Sequence, residues 1–228
     1  MSMPFIKRFL FTVVVFYSTL CLSQDNFESL GETAFAVNHN INDSYRINFA
    51  ARTRYFLYRN NDINVKNRQI DFVHFSTLKL DYNHSVSLGI QYRFRENFDE
   101  ESNELRLTQQ FNYLKQNLAL RFGHRFRFEQ RILEDLTILR SRYRFALDFP
   151  LNGEQLDVGE GYLVTSMEAL LSQSSRIKSE LDHRTTAQIG WLVTENLKLQ
   201  VGLEYRFEAF NIETEELLFV LTSAVLKI

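Results

Sequence analysis

Arginine recurs at every second position along several stretches of this chain. Arg121, Arg125, Arg127 and Arg131 share one parity, Arg140, Arg142 and Arg144 share another, and Arg93, Arg95, Arg106, Arg184 and Arg206 extend the pattern. Glu104, Glu129, Glu168, Glu180, Asp182 and Glu204 stand on the same side of their own stretches. Residues two apart lie on one face of a β-strand, so these side chains belong to one charged face. Two kinds of chemistry follow. Guanidinium and carboxylate can pair as bidentate bridges that pack an interior, or an excess of guanidinium can line a passage that favours anions. Adjacent stretches set arginine beside arginine, which costs energy unless carboxylates neutralise it. The packed, structural reading is therefore the stronger expectation, with a small passive pore beside it.

A second constellation is His74-Phe75-Ser76. A histidine and a serine two apart on one strand face loosely resemble a lipid A deacylase, which works on its lipid-facing surface. That resemblance implies a lipid-modifying activity, as the alternative to a protein that is no enzyme. A histidine base needs an orienting carboxylate by the logic of a catalytic triad, and neither flanking stretch offers an outward Asp or Glu. His124 and His183 share the outward parity but are far apart in sequence. No Gly-rich phosphate loop, nucleophile elbow or cluster with metal-ligand spacing occurs. No cofactor and no metal are expected, and no specific ligand can be read.

The elements that position these residues are strands. Val86 to Arg95 alternates apolar and polar residues without exception, and Tyr45 to Tyr55, Leu105 to Tyr113, Leu118 to Phe128, Leu139 to Phe149 and Leu197 to Phe207 do nearly the same. Ile70 to Tyr82, Leu163 to Leu171 and Leu181 to Trp191 follow less cleanly. A helix would place its apolar residues three and four apart. Most segments run roughly ten to fifteen residues, whereas strands of water-soluble domains run about five or six and tilted membrane strands about 9 to 11. The apolar face, with Val86, Leu88, Ile90, Tyr92 and Phe94 in one strand, is too greasy for water. Facing lipid it is at home, and closing the sheet pairs every backbone group, as hydrocarbon requires. Tyr55, Tyr92, Phe94, Tyr143, Trp191, Tyr205 and Phe207 stand towards segment ends, where interfacial girdles belong.

Composition agrees. The 228 residues include 21 Phe and 10 Tyr against 8 Gly and 2 Pro, and 26 basic residues nearly balance 28 acidic ones, so no basic field calls for nucleic acid. Lys7 and Arg8, the apolar run Phe9 to Leu22 and the small, polar Ser23-Gln24-Asp25 have the layout of a secretory signal peptide over residues 1–23. Cleavage after Ser23 removes Cys21, the chain's one cysteine, and leaves no thiol.

The expected fold is all-β: a transmembrane, antiparallel, up-and-down barrel of about ten strands, twelve being the alternative, since single-chain bacterial barrels have even counts. The barrel spans 44–228, preceded by an N-terminal segment, 24–43, in which Leu30 to Asn38 forms a first or partial strand or a plug. A further strand could hide between Pro150 and Gly161. Short connections at 39–43, 83–84, 115–117 and 194–196 alternate with longer ones at 59–67, 96–102, 172–179 and 208–215, which puts the short turns on the periplasmic side. The implied place is the outer membrane of a Gram-negative bacterium, with membrane lipids and the barrel-assembly machinery as partners.

Gly123-His124-Arg125-Phe126-Arg127-Phe128-Glu129-Gln130-Arg131, followed by Leu139-Arg140-Ser141-Arg142-Tyr143-Arg144-Phe145, resembles the central signature of the family catalogued as domain of unknown function 2490. Leu88-Gly89-Ile90-Gln91-Tyr92-Arg93 and the closing strands share the likeness. The resemblance implies an outer-membrane barrel of Bacteroidetes type and supplies no catalytic residues.

Overall fold

A computed structural model describes residues 27–59, 62–63, 65–99 and 101–228. The signal peptide expected over 1–23 lies outside the described residues. Eleven strands follow in order: β1 Phe27–Asn40, β2 Tyr45–Tyr58, β3 Lys66–Lys79, β4 His84–Phe94, β5 Glu104–Asn117, β6 Leu120–Ile132, β7 Thr137–Pro150, β8 Gly161–Gln173, β9 Glu180–Thr194, β10 Leu197–Glu208 and β11 Glu215–Lys227. They form a closed barrel, each strand antiparallel to its neighbour in sequence. No helix occurs among the described residues.

The join corrects two expectations. The count among the described residues is eleven, neither ten nor twelve, and β1 meets β11 in parallel, from Phe27 opposite Glu216 to Asn38 opposite Lys227. An odd number leaves the first and last strands running the same way, so only a parallel pair can close the ring. Leu30 to Asn38 is accordingly neither a partial strand nor a plug, but the middle of a fourteen-residue strand hydrogen-bonded on both sides. The stretch after Pro150 hides no strand. Residues 151–160 form a loop, with Gly153 and Gly159 at positive φ where side chains would be strained.

Alternation sends one row of each strand outward. Leu88 stays 66% exposed and Phe49 55%, with Phe126, Met167 and Leu203 comparably bare. The inward rows hold Gln69, Asp71, Arg93, Glu104, Arg106, Glu129, Arg131, Glu168, Asp182 and Arg206, all buried. Aromatic rings gather near both rims. At one end His84, Tyr113 and His124 stack strand to strand with centroids 5.0 and 5.8 Å apart, and Phe145 meets His124 tilted at 5.1 Å. At the other, Phe94 meets Tyr92 at 4.6 Å and Phe72 at 6.0 Å.

Connection lengths follow the expected alternation with two exceptions. Between β6 and β7 the turn is tight, closed by Leu133 N–H donating to the Leu136 carbonyl at 2.9 Å, although it lies at the long-loop end. The 151–160 loop is long, although it lies among the short turns.

The parallel join can be tested directly. Thr33 and Thr222 are opposite one another, their hydroxyls 2.9 Å apart, within the reach of a disulfide. In a chain that begins at Gln24 and so lacks Cys21, Thr33→Cys with Thr222→Cys should cross-link on oxidation while the barrel keeps its folded electrophoretic mobility. A pair that stays reduced under oxidant, with the barrel folded, would refute this closure.

Candidate functional site

Inward parity brings the arginines of four consecutive strands, β4 to β7, towards carboxylates on β3 to β8. Asp71 on β3, 1% exposed, accepts from Arg93 Nε at 2.7 Å and Nη2 at 2.8 Å, and from the amides of Gln69 and Gln91 at 3.0 Å. Glu104, also 1% exposed, serves three guanidiniums: Arg131 at 2.7 and 3.1 Å, Arg106 in a short bidentate contact, and Arg93 at 3.6 Å. Below it Glu129 takes Arg142 at 3.0 Å and Arg127 at 3.3 Å, while Glu168 takes Arg142 at 2.6 Å and Arg125 at 2.9 Å. Arg142 thus ties β6 to β8 through two carboxylates. Arg121 closes the short-turn end on Asp148 at 2.5 Å.

A second group lies towards the join. Arg54 pairs with Glu32 at 2.6 Å, Arg206 with Glu204 at 2.5 Å and Arg184 with Glu208 at 3.0 Å. Arg206 also lies 3.7 Å above the ring of Phe219, part of an apolar cluster with Leu30, Phe56 and Leu217. Arg140 donates to Ser172 at 2.7 Å and stands 3.8 Å from Asp182.

At the long-loop rim Arg95 and Arg68 grip Glu101, Arg68 at 2.9 Å and Arg95 in a short contact. Burial pushes the Glu101 carboxyl up, but Arg95 and Arg68 outweigh it and hold the group below the usual carboxylate range. Burial and the neighbouring Arg93 pull Arg95 down to about 10. At the opposite rim the Asn83 N–H and the His84 ring hold Asp81 low.

Most of the arginines and carboxylates singled out from sequence therefore meet in the lumen, with two departures. Glu180, at the start of β9, makes no ion pair among the described residues, and Arg144 finds no carboxylate. Sequence reading missed Asp71, Glu32, Asp148 and Glu208. Asp71 and Gln69 share the parity of the inward row of β3, but Val73 and Phe75 on that row are apolar and disguise it. Phe75 faces inward because Gly89, directly opposite, leaves room for its ring, and Arg127 lies 5.2 Å above that ring.

His74 and Ser76 face outward and do meet. His74 Nε2 lies 3.1 Å from Ser76 Oγ, and Tyr45 donates its hydroxyl to the same oxygen at 3.0 Å. His74 Nδ1 lies 3.1 Å from the Asn48 carbonyl. A carbonyl only accepts, so the proton sits on Nδ1 and Nε2 is free to accept from serine. The orienting group missing from the sequence is thus a backbone oxygen. His183 Nε2 and Thr185 Oγ1 are also 3.1 Å apart, which shows that strand spacing alone produces such contacts.

Because Glu104 neutralises guanidiniums from two strands and from β4 across the sheet, its loss leaves buried positive charge uncompensated. Glu104→Gln should cost about 3–5 kcal/mol of unfolding free energy, read by denaturant titration in detergent. Glu134→Gln, in an exposed turn, should stay within about 0.5 kcal/mol. Equal stabilities would refute the role given to Glu104.

The comparisons bear on family alone. No curated protein matches the sequence. A family model described as "Protein of unknown function (DUF2490)" matches residues 33–215, from the middle of β1 to the first residue of β11. With that match covering most of the barrel, the chain belongs to the DUF2490 family.

Proposed function

We propose that this protein is a structural barrel of the Gram-negative outer membrane, with a lumen closed by ion pairs rather than an open pore. The observation that carries the reading is the contrast between its two faces. Outside, rows of bare Leu, Phe, Ile and Val would be intolerable in water and suit lipid. Inside, arginines and carboxylates fill the section so far that the cavity among them measures about 350 Å³, next to a second of about 440 Å³ towards the short turns. Wide channels need about sixteen strands, whereas barrels near eight are filled by their side chains. Eleven strands carrying this many arginines belong with the filled ones. Membrane lipids and the barrel-assembly machinery are the partners this reading requires, and the short turns would face the periplasm.

Fractionation should recover the mature chain with outer membranes, and its gel mobility should change on heating. In planar bilayers it should give no porin-scale steps, and any residual current should favour anions. A chain that is compact and freely soluble without detergent would refute the membrane reading. Large unselective steps would refute the closed lumen alone.

The hydrogen bonds at Ser76 favour a second reading, hydrolysis of lipid acyl esters on the outer surface. Ser76 Oγ would attack the acyl carbonyl and pass its proton to His74 Nε2. His74 would hand that proton to the departing alkoxide as the ester C–O bond breaks, and water would release the fatty acid. Tyr45 is placed to donate to the oxyanion, which matters because strand N–H groups are spent on the ladder. Ester turnover and fluorophosphonate labelling should both vanish in Ser76→Ala. Wild-type protein that neither hydrolyses phospholipid in mixed micelles nor takes the label would dispose of it.

A further inference from the structure

The lumen carries more positive charge than its carboxylates can neutralise. Fourteen arginines and four glutamates line the cavity, and the buried acids are shared, Glu104 and Glu129 behind that lining among three and two guanidiniums and Glu168 within it between two. Two arginines are left over. Arg144 stands opposite Arg125 on one side and Glu168 on the other, but Glu168 is already held by Arg125 and Arg142. Arg52 stands opposite Asp71, which Arg93 occupies with both of its forks. Among the described residues neither has a carboxylate within ion-pair distance. Nε of Arg144 and Nε of Arg125 are buried without an acceptor.

Such an arrangement is costly on its own. Like charges facing each other across a sheet repel, and a buried donor without an acceptor loses its hydration for nothing. Both costs disappear if an anion occupies the space these groups share. Arg52 on β2 and Arg144 and Arg125 on β7 and β6 line the same cavity from different walls. Its volume of about 350 Å³ equals that of on the order of ten water molecules at about 30 Å³ each, enough for one oxyanion with a few waters or a short organic group. Guanidinium forks approaching from several directions suit an anion with three or more outward oxygens better than a planar carboxylate or a chloride. Ser166 also lines the cavity and adds a hydroxyl, whereas the Thr186 and Ser223 hydroxyls already donate to Glu204 and Gln200.

We propose that the lumen is a binding site for a phosphate group, clamped by Arg144 and Arg125 on one wall and Arg52 on the other. The site requires the closed barrel but not its placement in a membrane, so it can be tested on detergent-purified protein whatever fractionation shows. The phosphate could be inorganic or the head of a small ester, and the titration separates the two.

The experiment is calorimetric titration of the mature chain with inorganic phosphate, with glycerol 3-phosphate and with chloride at matched ionic strength, after exhaustive dialysis. Phosphate should bind at least tenfold tighter than chloride, and whichever phosphate binds tighter identifies the source. Arg144→Gln and Arg52→Gln should each weaken binding at least tenfold and together abolish it, while Arg176→Gln in the exposed β8–β9 loop changes nothing. Folding of each variant is checked by heat-modifiable mobility. In phosphate-free buffer Arg144→Gln should also leave the thermal midpoint unchanged or raise it, because it removes an uncompensated charge. Binding no tighter than chloride, binding indifferent to the double substitution, or an Arg144→Gln midpoint that falls in phosphate-free buffer would each overturn the proposal.

Discussion

Everything in this barrel depends on one join, the parallel ladder between the first and last strands. Without it the sheet has two open edges, each a row of unpaired N–H and C=O groups and a template for pairing with another chain. An odd strand number makes the join parallel, with slanted and slightly weaker hydrogen bonds than an antiparallel pair would give. What compensates is local packing. Leu30, Leu217 and Phe219 lie buried together behind the join with Phe56, and the Thr33 and Thr222 hydroxyls bond across it on the outer side. The join also links residues nearly two hundred positions apart, so it carries the largest loop-closure cost in the molecule. Antiparallel hairpins can form locally, whereas this pair can form only when the rest of the sheet has curled.

Charge inside the cylinder obeys a similar rule of closure. A guanidinium in a narrow lumen is tolerated only if its N–H groups find acceptors, and the strands supply these through shared carboxylates rather than one partner each. Glu104, Glu129 and Glu168 each hold more than one arginine. Sharing links β4 through β8 in a band that resists changes in the section of the barrel. It also leaves a remainder of positive charge, because fewer acids than arginines are present on those strands.

Alternation made much of this legible in the sequence. The runs around Val86 to Arg95 and Leu197 to Phe207 fix strand, face and approximate length, since only a two-residue period divides oil from charge that way. Most of the inward arginines follow from parity, and so do about half of their partners, Glu104, Glu129, Glu168, Asp182 and Glu204. What parity cannot show is which strand neighbours which at the join, because nothing local in Phe27–Asn40 records that it pairs with Glu215–Lys227. An assumed even count then turned a complete strand into a fragment. Asp71 was hidden for a different reason: the inward row of β3 includes Val73 and Phe75, so hydrophobicity reports both faces alike. The contact between His74 and the Asn48 carbonyl was hidden because its acceptor is backbone, which carries no residue signature.

These two closures together make the lumen two-sided. Near the join the inward rows of β1 and β11 carry an apolar patch of Leu30, Leu217, Phe219 and Leu221, with Glu32 and Ser223 beside it. Across the lumen, β4 to β7 present arginine upon arginine. An arginine side chain suits the boundary, since its flat, weakly hydrated guanidinium can lie on an aromatic ring while its edge binds a carboxylate. Arg54 and Arg206 do this, both over Phe219 while holding Glu32 and Glu204. A lysine in either place would keep the charge but lose the flat face, and the apolar wall would then end abruptly against a charged one. The strand that completes the cylinder thus also supplies the surface on which part of its interior charge is laid to rest, so the parallel join and the arginine-rich lumen are parts of one solution.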